Sequence, residues 1–489
     1  MIGKLRTAEE KKKKINSYLK KLNSIAEKSV RKKNYNLALS SLSAYCKIQY
    51  LINQVYSNNK TEDLLQSIAR DIVKVPKEYK AKHHVVLFYD GFGLDLRGWA
   101  ASYVKAFSSL DYRLIYVAPE QSKGRIPHII NELEKGRGSI VYLDMNKSYT
   151  NHVNDLNEVF VKYKPQTAFF YTTPYDVAGA AVFDAYLDKV FRIQVDLTDH
   201  AYWIGINAFD CITECRLPGV SNAIYHRGVQ KKQIARIDPT PYITDNLSDE
   251  PLPFDIDKDE YFFSGGSLYK TLGDNNHAYY KIVDEILERD SNIKFIYAGE
   301  GDPSEMNRLI QKHTERVFLI NERNDFFRLF EKCVFYLNTY PMFGGLMMRY
   351  AALAGKAPLT LKHGLDHEGI LFKQDERGIE FDTVEEIVDE AMRLIHNKEY
   401  RNKKRKDMDG ACMDNQTFSK NLGYMIETGK TSIDFDRFDE VDTSEFRHEY
   451  IERLDVKDVL LKAIPVMRND RLLIFFPGLF IMKAWRKFK

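Results

Sequence analysis

Apolar positions recur every three or four places through the first 80 residues. Ile15, Leu19, Leu22 and Ile25 share one helical face, and "YNLALSSLSAYCKIQYLINQVY" repeats the spacing, which predicts an all-helical prefix over residues 1–80. The stretch "KKNYNLALSSLSAYCKIQ" is faintly like one tetratricopeptide unit, but no second copy follows at the expected period, so a helical hairpin used for docking is the plainer reading. At His83 the period changes. "HHVVLFYDGFGLDLRGWAASYVKAF" is a β-branched and aromatic run, a glycine turn and then a helical pattern. The same unit recurs at "YRLIYVAP", "SIVYLD", "TAFFYTTPYDVAGAAVFDAY" and "VFRIQVDLTDHAYWIG". Apolar strands alternating with helices belong to a parallel sheet covered on both faces, so residues 83–235 are expected to fold as one Rossmann-like domain.

Pro239, Pro241, Pro251 and Pro253 interrupt the periodicity among many acids, and residues 236–260 read as a linker. "YFFSGGSLYK", "IKFIYAGEGDP", "RVFLINER" and "CVFYLNTYP" then alternate with helical segments, which predicts a second Rossmann-like domain over 261–400. Residues 401–489 read as closing helices and a basic-apolar tail. The expected class is α/β, with two facing doubly wound domains behind the helical prefix.

Hydrophobic content of 44% with 29% charged residues describes a globular chain rather than a disordered one. Charge is uneven. Residues 1–36 hold twelve Lys/Arg against three Glu, leaving 60 basic and 66 acidic residues elsewhere. Basic residues gathered at one end argue against a nucleic-acid binder, whose working face they would line, and suit anionic lipid or a partner protein. Cys46, Cys211, Cys215, Cys333 and Cys412 are scattered and odd in number, giving neither a disulfide framework nor a zinc pattern. Met1 to Lys33 has no signal-peptide core, so a cytoplasmic protein is expected. The eleven-residue apolar run Leu472–Met482 contains Pro477 and Gly478 and is far short of the ~20 residues a spanning helix needs. With Lys483, Trp485, Arg486, Lys487 and Lys489 it either anchors at the inner membrane face or packs on the protein.

Ligands of open α/β sheets bind beyond the carboxyl ends of the strands. At the first such end, "YDGFGLDLRGWA", Gly91 and Gly93 admit close backbone approach while Asp90 and Arg97 offer polar groups. The dinucleotide pattern fails because its third glycine would fall on Leu96. "QVDLTDHAYWIG" sets Asp199 and His200 just past another strand. A histidine there serves as general base if a carboxylate orients it, or caps the next helix.

In the second domain "FFSGGSLYKTLG" brings Gly265, Gly266, Ser267 and Lys270 to a strand end, amides and a cation suited to a diphosphate, without the Walker spacing. "YAGEGDP" adds Gly299 and Glu300 as a turn able to hold a base or ribose edge. "FGGLMMRYAALAGKAPL" starts a helix at Gly344 and Gly345, where backbone amides and the helix dipole favour an anion. Tyr340 precedes it and Arg349 lies one turn in. His363, Asp366, His367 and Glu368 do not fall at metal-site spacing.

In order, "VDLTDHAYWIG", "FDCITECR", "SGGSLYK", "AGEG" and "FGGLMMRYAALAGKAPL" resemble the GT-B glycosyltransferases over about residues 83–400. The two glutamates that the large retaining branch carries around the last segment would fall on Met342 and Tyr350. The resemblance therefore implies a metal-independent and inverting transferase. His200 or Asp199 would be the base. Gly265, Gly266, Ser267, Lys270, Gly299, Glu300, Tyr340, Gly344, Gly345, Arg349 and Glu368 would hold the donor, and Asp90, Gly91, Gly93 and Arg97 would face the acceptor. It further implies a UDP-sugar donor, no resident cofactor, a glycan, lipid-linked glycan or protein acceptor, and a place in bacterial surface polysaccharide or glycoconjugate synthesis. The missing glutamates keep open an inactive scaffold of the same fold, and the shared two-domain plan a sugar-nucleotide epimerase.

Overall fold

A computed structural model describes residues 7–479 apart from 245–247, 249, 273, 275, 364–368 and 436. The chain divides into two units, residues 1–237 with 416–489, and residues 238–415.

The first unit contains a seven-stranded sheet of β1 (Lys82–Asp90), β2 (Arg113–Pro119), β3 (Ser139–Leu143), β4 (Pro165–Tyr171), β5 (Phe191–Val195), β6 (Cys211–Glu214) and β7 (Ile234–Arg236). Its order is β3-β2-β1-β4-β5-β6-β7 and every pairing is parallel. This doubly wound order reverses direction between β1 and β4, which opens a crevice at their carboxyl ends. β6 and β7 were not foreseen as strands. Each is short, and "CITE" offers too few residues for a period to show.

The helices Ala8–Arg31, Tyr35–Ile52 and Asn59–Ile72 form the expected prefix. They do not stand apart. Ile15, Leu42, Ile48 and Ile68 share one buried cluster with Leu87, Ile115 and Phe183 of the sheet and its helices. The sequence of the second prefix helix explains this, because Leu37 through Cys46 is buried on every side, as a helix apolar or small all round must be. Ser40 and Ser41 tolerate burial by donating to the carbonyls of Asn36 (2.7 Å) and Leu37 (2.9 Å). Leu472, Leu473, Phe476 and Leu479 join the same cluster, and Phe476 stacks on Tyr18 at 5.7 Å. The packed reading of the tail therefore holds as far as Leu479, while residues 480–489 lie outside the described ones. Among the described residues no helix is long and apolar enough to cross a membrane.

The second unit holds a six-stranded sheet of β8 (Tyr261–Gly265), β9 (Lys294–Ala298), β10 (Val317–Ile320), β11 (Tyr336–Leu337), β12 (Pro358–Leu361) and β13 (Glu380–Phe381). Its order, β10-β9-β8-β11-β12-β13, repeats the plan of the first sheet, again all parallel. Part of the stretch expected as linker belongs to its core. Ile256 is buried beside Tyr261 and Phe330, with Ile243, Leu252 and Phe254 packed against them.

Candidate functional site

In the first unit the switch-point crevice is closed tightly. A Cβ on Gly91 would sit 1.8 Å from the Thr172 hydroxyl oxygen, so only glycine lets the β1 and β4 ends meet, joined by the Gly91 amide on the Tyr171 carbonyl at 2.9 Å. Asp90 is fully buried. It accepts from the Tyr116 hydroxyl at 2.5 Å and from the amides of Phe92 (2.8 Å) and Gly93 (3.0 Å). Burial pushes its carboxyl up to about 6. Expected to face an acceptor, Asp90 instead fixes the loop from below, and Arg97 is the exposed member of the set.

Beyond β5 lies a buried charge network. The Asp199 carboxylate is gripped by Arg216 through both oxygens, Nη2 reaching Oδ1 at 2.6 Å and Nε contacting Oδ2. Its Oδ1 is also 3.5 Å from Nδ1 of His200, whose side chain is 33% exposed. Burial alone would raise Asp199, but Arg216 and the histidine outweigh it and hold the carboxyl well below its usual range. A carboxylate so stabilised is a poor proton acceptor. Of the two expected bases Asp199 is thus the less suited, and it lies against His200 as a charged partner. Arg227 donates to the carbonyls of Asp199 (3.0 Å) and Ala201 (2.6 Å), and Asp196 accepts from the Trp203 indole at 2.9 Å. At the end of β6 Glu214 is fully buried and neither carboxyl oxygen has a hydrogen-bond partner. Burial and the neighbouring Asp196 and Asp199 push it well above the usual range.

The prefix fixes this loop. Glu62 accepts from the Gly205 amide at 3.1 Å with both oxygens, and the Tyr202 hydroxyl lies 3.1 Å from Thr61 Oγ1. Glu62, Glu214, Arg216 and Arg227 were missed. Glu214 and Arg216 stood in the "CITECR" segment, while Glu62 gives no local signal because its partner is 143 residues away.

In the second unit the candidate residues converge on the β8/β11 switch point. The loop after β8 bonds the loop after β9 through Gly266 N to Ala298 O and Leu268 N to Glu300 O, both 2.9 Å, and reaches the loop after β11 through Met342 N to Lys270 O at 3.2 Å. Three expectations change. The Gly266 amide is taken by Ala298, and the Gly344 amide donates to Asn338 Oδ1 at 2.9 Å, so neither is offered to a phosphate. Arg349 is buried against Asp238 at 3.0 Å and serves the core. Ser267 and Glu300 are exposed and Lys270 is half-buried on the same loops. Gly345 begins the helix Gly345–Leu353, whose first-turn amides have no intrahelical acceptor. The Tyr340 hydroxyl is 3.3 Å from His363 Nδ1. Glu368, with Asp366 and His367, lies outside the described residues. Neither Met342 nor Tyr350 supplies a carboxylate. Tyr350 is buried, its ring edge on Phe326 at 4.7 Å and its hydroxyl on the Tyr242 carbonyl at 2.7 Å.

Among the described residues one group, Asp284, Glu288 and His313, approaches metal-ligand geometry, but the Lys312 ammonium already lies 2.8 Å from Asp284 and 3.0 Å from Glu288.

No family model and no curated protein matches the sequence. Solved structures do match the fold. A candidate UDP-N-acetylglucosamine 2-epimerase from Listeria monocytogenes superposes with a TM-score of 0.54 at 14% identity, over 71% of this chain and 97% of its own. An O-GlcNAc transferase from Thermobaculum terrenum gives 0.51 at 14%, over 86% and 83%. A glycosyltransferase from Rickettsia africae gives 0.52 at 10%, over 71% and 99%. The chain shares with them the GT-B-type plan of two Rossmann-like units.

Proposed function

From this fold and its two strand-end constellations we propose that the protein is a glycosyltransferase moving a sugar from a UDP-sugar to a hydroxyl of a glycan or glycoconjugate. The observation that carries the reading is the Arg216–Asp199–His200 chain at the end of β5. A part-exposed histidine whose orienting carboxylate is itself held by a buried guanidinium has the form of a general base. His200 takes the proton of the acceptor hydroxyl, whose oxygen bonds to the anomeric carbon. The bond to the diphosphate oxygen breaks, and its electron pair leaves with the nucleotide. Lys270 and the first-turn amides of the Gly345–Leu353 helix counter the charge on the diphosphate. A single displacement of this kind inverts the anomeric centre. The names of two structural neighbours make a UDP-linked N-acetylglucosamine the first donor to test.

The test is release of UDP by the full chain from UDP-N-acetylglucosamine, UDP-glucose and UDP-galactose with glycan acceptors. His200→Ala should lower kcat by about 10²- to 10⁴-fold and leave donor Kd unchanged. Lys270→Ala should weaken donor binding roughly tenfold, the loss of one charge-assisted contact. Unchanged turnover in the histidine variant removes His200 from the chemistry. Interconversion of the donor without an acceptor replaces transfer by epimerisation, and failure to bind any UDP-sugar leaves a scaffold.

A further inference from the structure

We propose that the open groove on the helical prefix is a second carbohydrate site, one that takes an acidic oligosaccharide. The groove measures about 740 Å³ and is lined from all three prefix helices and the turn between the second and third, a size that accommodates a few sugar rings. Eight of its ten lining residues are polar or charged. Asn16 and Asn23 contribute side-chain amides that make no hydrogen bond among the described residues, and each offers donors and an acceptor to sugar hydroxyls. The floor is pre-ordered, because the Tyr45 hydroxyl is held by Gln49 at 2.9 Å and by Asn58 at 3.0 Å. Lys20 and Lys60 stand exposed at its edge without an ion pair among the described residues, and they supply the charge that a uronate would meet. Leu19 and Tyr45 are the apolar and aromatic members of the lining, and both are buried, so a hydroxyl-rich chain fits better than apolar peptide side chains.

The groove is tied to the base. Tyr45 packs edge-on against Tyr202 at 6.4 Å, two residues past His200. The groove therefore backs onto the loop that faces the acceptor hydroxyl, and it suits a part of the acceptor remote from the reacting sugar. That last step rests on the transferase reading; the sugar site itself does not.

The full chain is titrated calorimetrically with hyaluronan hexasaccharide, maltohexaose and an acidic hexapeptide of alternating Glu and Ser, and separately with UDP. The uronate-bearing hexasaccharide should bind best. Lys20→Glu with Lys60→Glu, and independently Asn16→Ala with Asn23→Ala, should each weaken it at least about tenfold, with UDP affinity and the circular dichroism spectrum unchanged. Maltohexaose binding as tightly as hyaluronan, the peptide binding in its place, no oligosaccharide binding, or groove variants without effect would each overturn the proposal. Loss of UDP binding by the wild-type chain would instead sink the donor reading and leave the groove result standing.

Discussion

The two units share a strand order and build their strand ends from different materials. Beyond β5 and β6 the first unit assembles charged side chains in the interior, Asp196, Asp199, Glu214, Arg216 and Arg227, around one part-exposed histidine. Beyond β8 and β9 the second unit uses backbone, with Gly266 and Leu268 bonded to Ala298 and Glu300, while its buried ion pairs, among them Arg349–Asp238 and Arg323–Asp325, stand on other segments. Buried charge responds strongly to pH and to the loss of one partner, whereas interlocked backbone responds to volume. The comparison predicts opposite sensitivities for the two units.

The largest effect should follow Arg216→Met. It strands the ionised Asp199 in the interior, and breaking a buried pair costs about 3–5 kcal/mol. Trp99 and Trp203 belong to the first unit and residues 238–415 hold no tryptophan, so the urea midpoint followed by tryptophan fluorescence should fall sharply. Adding Asp199→Asn removes the stranded charge and should recover a good part of the loss. Equal midpoints for single and double variants would mean that the ion pair is not what holds this loop.

This division decides what could be read in advance. The glycine loops at Gly265–Lys270 and Gly299–Glu300 are local strings, visible as turns after apolar runs, and the structure does bring them to one switch point. The fate of their amides was not visible, since the acceptor of Gly266 lies on another strand and that of Gly344 is the side chain of Asn338. In the first unit "DLTDH" marked Asp199 and His200, but the group that grips Asp199, Arg216, lies seventeen residues on. The prefix was legible as helices and illegible as core. An amphipathic pattern says which face is buried and not what covers it, and its cover proved to be the sheet's own helices and the 451–479 segment.

A subtler contrast is pH. Burial raises Glu62 from its ordinary 4.5 to about 8 in the folded protein, so between those values the native state keeps a proton that the unfolded chain has lost. The stability this lends is full below the unfolded value and disappears as pH rises through the folded one. Asp90, raised to about 6, acts in the same sense at lower pH. Glu62→Gln retains an acceptor for the Gly205 amide and has no proton to lose. Its first-unit midpoint should therefore fall less than the wild type's between pH 6.5 and 8, and parallel curves would place the titrating group elsewhere.

The smallest change tests the second unit. Gly299→Ala would put a Cβ 1.9 Å from the Gly266 carbonyl oxygen, and no flexible side chain is there to yield, because the Gly266 amide is bound to Ala298 O at 2.9 Å and the Gly299 amide to Ile320 O at 3.0 Å. The β8 and β9 loops must separate, at a cost of roughly 1–3 kcal/mol for such overpacking. No charge changes, so the loss should be the same at pH 6 and pH 8, and tryptophan fluorescence should not report it. Hydrogen exchange at amides of 261–272 and 294–301 should. The displaced loop carries Lys270, so donor affinity should fall together with protection; full protection with weakened donor binding would show that Gly299 meets the donor directly rather than supporting the loop that does.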